Sequence, residues 1–169
     1  MLLNLIVGVA VGLGQTGLLL VLHFAGVLRS QQGGRFLMLA LAFHIVGLLW
    51  ALGRHRAAAS PEEGAPFSKL FGAGLMVSLI AGVVVAAGSL VFLEGIDPSY
   101  LDWIRESSRE RLEALELPAE ELEIQEQRLD QLTAAGYAMQ GLMGTLMTGF
   151  FLSLTLAAFL RMRVIRKKP

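Results

Sequence analysis

Two histidines, His23 and His44, are the residues of this chain best placed to do chemistry. Each falls inside a long apolar stretch, His23 six residues before Arg29 and His44 nine after Arg35. On antiparallel neighbouring helices their rings would differ in depth by only about 4–5 Å at 1.5 Å per residue. Two imidazoles facing each other across a bundle can ligate haem iron or a transition metal. The same pair can simply hydrogen-bond between helices, a gain of about 0.6 kcal/mol on average. Gln15 and Gln140 add amides that could line a polar path or cross-link neighbours. His55, between Arg54 and Arg56, reads as a solvated loop residue.

Other chemistry finds no footing. Cysteine is absent, which removes disulfides, thiolate metal sites and thiol nucleophiles. Glu62 and Glu63 resemble the paired glutamates of intramembrane prenyl-endopeptidases, but Phe67 stands where an arginine is needed. Ser89 follows Gly88 without the rest of a nucleophile motif. No paired-histidine zinc helix or phosphate-binding glycine loop occurs. Between Glu94 and Asp130 lie twelve of the fourteen carboxylates. They lack calcium-loop spacing, and Arg105, Arg109, Arg111 and Arg128 partly neutralise them. These residues read as the solvated face of ion-paired helices. The expectation is a non-enzymatic protein without metal or other cofactor.

The elements that must position these residues are membrane spans. Of 169 residues, 54% are hydrophobic, and the mean hydropathy is +0.61. Four stretches, Leu2–Leu28, Phe36–Leu52, Phe71–Leu93 and Ala138–Leu160, meet the length needed for about 30 Å of hydrocarbon. They should be helical, because unpaired backbone groups in lipid cost several kcal/mol each. The first opens without a basic flank and reads as a retained span, not a signal peptide. The interiors hold no Asp, Glu or Arg, which argues against a proton relay or ion-coupled pump.

Residues 94–136 form an acidic insert within a single domain of residues 1–169. Asp97 can cap a helix with Pro98 at its first position. Leu101, Ile104, Leu112 and Leu115 recur at heptad-like spacing until Pro118 interrupts them. Leu122, Leu129 and Leu132 then share a face up to Gly136, a plausible helix stop. The fold class is thus an all-α membrane protein: four transmembrane helices with a two-helix amphipathic acidic insert between the third and fourth. The two insert helices could pair as a hairpin or lie on the membrane surface.

Lys and Arg near span ends set orientation. Arg54, Arg56, Lys69 and the tail residues Arg161, Arg163, Arg166, Lys167 and Lys168 fall on one side. Arg29, Arg35 and the insert's four arginines fall on the other. Both termini are expected in the cytoplasm of a bacterium and the insert in the periplasm, across the inner membrane.

Small residues recur every fourth position in the last two spans: Gly74, Ser78, Gly82 and Ala86, then Gly141, Thr145, Gly149, Ser153 and Ala157. Such stripes let helix backbones approach closely. Gly8, Gly12 and Thr16 make a shorter version. The stripes serve packing within the bundle or a homo-oligomer interface. For antiparallel third and fourth spans, mid-span Gly82 and Gly149 should lie near closest approach.

Several features resemble the Domain of Unknown Function 4199 family of small bacterial membrane proteins, seen mostly in Bacteroidota. The carriers are Phe67, Lys69, Phe71 and Gly74 at the entry to the third span, then Pro98 with Tyr100. A Glu- and Leu-rich charged helix and a basic tail complete the pattern. The resemblance runs from about Pro61 onward, while the first two spans match only in type. It implies four helices with a charged insert between the third and fourth, and lends no catalytic residues.

Two function classes remain. One is an accessory or structural component, held in the lipid bilayer, that binds another membrane or envelope protein; nucleic acid is not an expected partner. The other is a small channel or transporter whose polar path uses Gln15, His23, His44 and Gln140. A haem-bearing carrier using His23 and His44 is a third option.

Overall fold

The computed structural model describes residues 1–30, 32–59, 64–115 and 117–165. Glu62, Glu63, Glu116, Arg166, Lys167 and Lys168 lie outside the described residues. Among the described residues every regular element is helical: α1 (Leu2–Phe24), α2 (Gly33–Leu37), α3 (Ala40–Ala57), α4 (Phe67–Val91), α5 (Tyr100–Glu113), α6 (Ala119–Asp130) and α7 (Ala134–Ile165). A π-helical turn, Phe92–Ile96, extends α4. Four segments are long and apolar enough to cross a membrane: Leu2–Phe24, Gly33–Ala57, Phe67–Ile96 and Ala134–Arg161.

Small residues on α4 make it the central helix. A side chain at Gly8 would strike Val77 and Ile80, and one at Gly12 would strike Ala81 and Val84. Thr16 packs on Gly88, so α1 and α4 run parallel. On the other flank Ser153 fills the hollow over Gly74, Ser78 fills that over Gly149, and Leu142 with Thr145 covers Gly82. Helix α7 is therefore antiparallel to α4. Lipid offers no hydrophobic drive for association, so these close contacts must supply dispersion instead. Large side chains such as Leu13, Trp50, Leu79 and Phe151 point outward.

The register differs from expectation by one turn: Gly82 faces Thr145, not Gly149. A stripe of period four interlocks equally well after a four-residue slip, so span midpoints cannot choose between registers. The hydroxyl of Ser78 makes the choice, because only a glycine leaves it room.

The chain leaves α1 earlier than its apolar run suggests. Gly26 adopts φ +69°, a left-handed conformation open to glycine. Val27 and Leu28 then both donate to the Leu22 carbonyl. Leu28 folds back beneath the bundle end among Leu22, Phe92, Leu93 and Tyr100.

Helices α5 and α6 pack against each other, joined across the hairpin by an Arg109–Asp130 ion pair. Gly136 stops nothing: it lies in the first turn of α7, where its N–H donates to Thr133 Oγ1 at 3.0 Å. Thr133 is thus the cap of α7. Asp97 does not cap α5 either, since that helix starts at Tyr100 after Ser99.

Candidate functional site

Helix α3 brings His44 to the bundle centre, where it is 1% exposed. Ser78 Oγ donates to the Gly74 carbonyl at 3.0 Å, so it must accept the 2.9 Å hydrogen bond from His44 Nε2. That places the ring proton on Nε2 and leaves Nδ1 as an acceptor for Gln15 Nε2, 3.4 Å away. Gln15 Nε2 also donates to the Ala40 carbonyl at 3.1 Å. The result is a directed chain from α1 through α3 to α4, closed on α7 by Gly149. A side chain at Gly149 would collide with both Ser78 and His44.

Above this floor, toward the insert, lies a cavity of about 320 Å³ between α1, α3, α4 and α7. Thr16, Ser89, Tyr137, Thr145 and Thr148 bring hydroxyls to its wall, and Leu19, Leu37, Leu41 and Val85 bring apolar surface. No lysine, arginine or carboxylate lines it. Thr16 Oγ1 is buried without a hydrogen-bond partner among the described residues. Leu41 and Gly144, on α3 and α7, are both lining and exposed, so the cavity opens sideways between those helices. On the other side of the His44 floor, Val7, Val11, Leu48, Ala51, Val77 and Ala81 form a closed apolar core.

His23 belongs to a different cluster. Its Nδ1 lies 3.3 Å from Asp97 Oδ2, and its ring meets Phe92 edge-on at 5.2 Å. Arg29 donates to Asp97 at 2.6 and 2.7 Å and to Ser99 Oγ at 2.7 Å. Ser99 Oγ in turn donates to Asp97 at 2.8 Å. Burial raises the Asp97 carboxyl, but hydrogen bonds from Arg29 and Ser99 and the Arg29 charge outweigh it and hold the group below the usual range. Tyr100 stacks on Trp103 at 5.3 Å and meets Phe92 edge-on. Burial, the largest influence, pushes its phenol up and keeps it neutral. These contacts bolt the start of the insert to the end of α1.

The expected juxtaposition of His23 and His44 is therefore corrected. The residue opposite His44 on α1 is Gln15, and Asn4 likewise meets His55. Eight residues separate Gln15 from His23, about 12 Å of helix at 1.5 Å per residue. The early exit at Gly26 and the break between α2 and α3 shift the register that Arg29 and Arg35 suggested. A shared ligand position for the two rings is absent from the geometry. Among the described residues no three His, Asp or Glu side chains converge as a metal-binding group.

The other named residues divide by place. Gly74 meets Ser153, Ser78 meets Gly149, and Gly82 meets Thr145, while Gly141 approaches Val85. Ala86 is half-buried one turn beyond Gly82. Gln140 lines a cleft of about 500 Å³ between the hairpin and α7, which shares Tyr137 with the bundle cavity. His55 is half-buried at the end of α3, and its Nε2 donates to Asn4 Oδ1 at 2.7 Å.

Sequence reasoning passed over the Arg29–Asp97 pair and Asn4, and took Thr16 only as a packing residue. One signal was legible: Arg29 and Asp97 each follow an apolar stretch, and the first and third spans of a four-span chain end on the same side.

A family described as Protein of unknown function (DUF4199) matches residues 5–162. The match takes in the first two spans, well beyond the Pro61 start of the sequence resemblance. No curated protein and no solved structure matches the chain.

Proposed function

The chain belongs to the DUF4199 family, and from the mounting of its α5–α6 hairpin we infer a non-enzymatic multi-pass membrane component that binds a partner. The partner is another membrane or envelope protein with a basic surface. The observation that carries the reading is the anchor of Arg29, Asp97 and Ser99 with the packed Phe92, Tyr100 and Trp103 rings, which holds the hairpin against the bundle. Between Tyr100 and Asp130 the sequence carries ten carboxylates against four arginines. Helix α6 buries none of its residues. Such a surface is repelled by anionic lipid headgroups and stands free to meet a complementary protein.

The topology that goes with this reading puts both termini in the cytoplasm and the hairpin in the periplasm, following the Lys and Arg asymmetry. The chain has no native cysteine, so a single Glu113→Cys substitution can report it. The thiol should react with an impermeant reagent added outside spheroplasts. Reaction only after the cytoplasmic side is opened overturns the orientation.

Crosslinking with mass spectrometry in native membranes tests the partner. Carboxylate-directed crosslinks from Glu110, Glu113, Glu120 and Glu121 should reach one recurrent protein, and reversing Glu120, Glu121 and Glu123 to Lys should abolish them. Repeated recovery of a lone monomer, with or without crosslinker, sinks the reading. A channel or transporter is the second reading, favoured by the hydroxyl-lined cavity. It requires a rearrangement, because the apolar core beyond His44 blocks a through path. Proteoliposome flux indistinguishable from empty vesicles rejects it.

A further inference from the structure

We propose that the cavity above His44 binds the head of a neutral lipid, one carrying hydroxyl or carbonyl groups and no charge, which enters sideways between α3 and α7. The proposal stands on the cavity alone and is independent of the partner reading.

Three observations converge on that chemistry. The first is the wall. Thr16, Ser89, Tyr137, Thr145 and Thr148 present hydroxyls, and that of Thr16 is buried with no hydrogen-bond partner among the described residues. Each can donate or accept. A buried hydroxyl left unpaired is unfavourable. A ligand with its own hydroxyls or carbonyls satisfies them.

The second observation is charge. With no cationic or anionic side chain in the wall, a phosphate, carboxylate or metal ion would lose its hydration without a counter-charge. His44 cannot serve, because Ser78 and Gln15 already engage both ring nitrogens. A neutral head meets no such penalty.

The third is access. The mouth lies between exposed Leu41, in the first turn of α3, and Gly144 on α7, both within segments long and apolar enough to cross a membrane. Molecules reaching it come from the bilayer, not from water. The apolar walls Leu19, Leu37 and Val85 suit the start of a lipid's hydrocarbon portion. A volume of about 320 Å³ falls at the small end of the range for ligand pockets, about 300–1,000 Å³. It accommodates a head group and leaves the chains in the membrane.

The test uses the full-length protein in vesicles of phosphatidylcholine containing a diazirine-bearing diacylglycerol as probe. A diazirine-bearing phosphatidylglycerol serves as the anionic comparison. After illumination, mass spectrometry locates the adducts. Diacylglycerol adducts should concentrate at residues lining the cavity on α3 and α7. The anionic probe should mark only the outward faces.

Two variants keep the test sharp. A Cβ at Gly144 meets nothing within 4 Å, so Gly144→Phe should close the mouth without disturbing packing and remove the cavity adducts. The near-isosteric pair Thr16→Val and Thr148→Val leaves the mouth open and should reduce them roughly fivefold per hydroxyl, the equivalent of one net hydrogen bond each. Cavity labelling that is equal for the two probes, or unchanged in Gly144→Phe, overturns the proposal. So does full retention in the double threonine variant at unchanged unfolding temperature.

Discussion

Glycines 144 and 149 lie on the same helix, yet a methyl group added to each meets opposite surroundings. At Gly149 it collides with Ser78 and His44, whereas at Gly144 it enters open space. Gly149→Ala should therefore destabilise the protein by about 1–3 kcal/mol, the usual range for overpacking, while Gly144→Ala should be close to neutral. Reversible unfolding in detergent micelles measures both, and equal losses would mean that the Ser78–His44 contact does not set the packing. Asp97 makes a separate residue-scale case. A carboxyl held low in the folded state binds protons more readily when unfolded, so its contribution is present above the ordinary carboxylate pKa of about 4. That contribution is lost as pH falls through the lower folded value. Asp97→Asn should cost about 1.5–3 kcal/mol near neutral pH, the range for hydrogen bonds to charged groups. The variant should also lose less stability than the parent between about pH 6 and about pH 3. Parallel pH curves for the two proteins would assign acid sensitivity to the hairpin's other carboxylates.

The seam between α4 and α7 is a stack of small residues in which each hollow receives a specific neighbour. Ser153 projects over Gly74 and has no hydrogen-bond partner among the described residues, so its role there is to fill space. Gly74→Ala should destabilise, and adding Ser153→Gly should recover most of the loss by vacating the hollow. Coupling between residues in contact is commonly about 0.5–3 kcal/mol, and a double-mutant cycle in the same unfolding assay reads it. Additive losses would show that the helices do not meet in this register. Gly82→Leu and Gly149→Leu, one turn apart on the same seam, should likewise combine sub-additively, since either one already opens it.

Across the whole molecule, stability should be graded. Helix α4 touches α1, α3 and α7, while α6 contributes no buried residue and rests on α5. Local opening is easiest where few buried contacts resist it. Amide hydrogen exchange in a lipid nanodisc should be slowest in the middle of α4 and fastest in α6, with α5 intermediate because Tyr100 and its ring contacts hold its first turn. Uniform protection across hairpin and bundle would indicate that the hairpin has further support, such as a bound partner or the membrane surface.

The sequence by itself determined the number of apolar helices, their approximate bounds, and the packing potential of the Gly74 and Gly141 stripes. Length, hydropathy and residue size are properties of local chain, and lipid leaves helices no alternative way to satisfy their backbone. The Pro118 break before α6 was legible for the same reason, whereas the start of α5 lies at Tyr100, two residues beyond the Pro98 start the sequence suggested. Only the tertiary structure decided what meets what. The Gly82–Thr145 register, the separation of His23 from His44 and the Arg29–Asp97 anchor each depend on how helices slide and rotate against one another. A stripe repeating every four residues is degenerate under one-turn slips, and an apolar run carries no mark of where its helix will turn. The hydroxyl-lined cavity was hidden for a further reason. Threonine and serine are ordinary packing residues in sequence, and become a site only where four helices leave space between them.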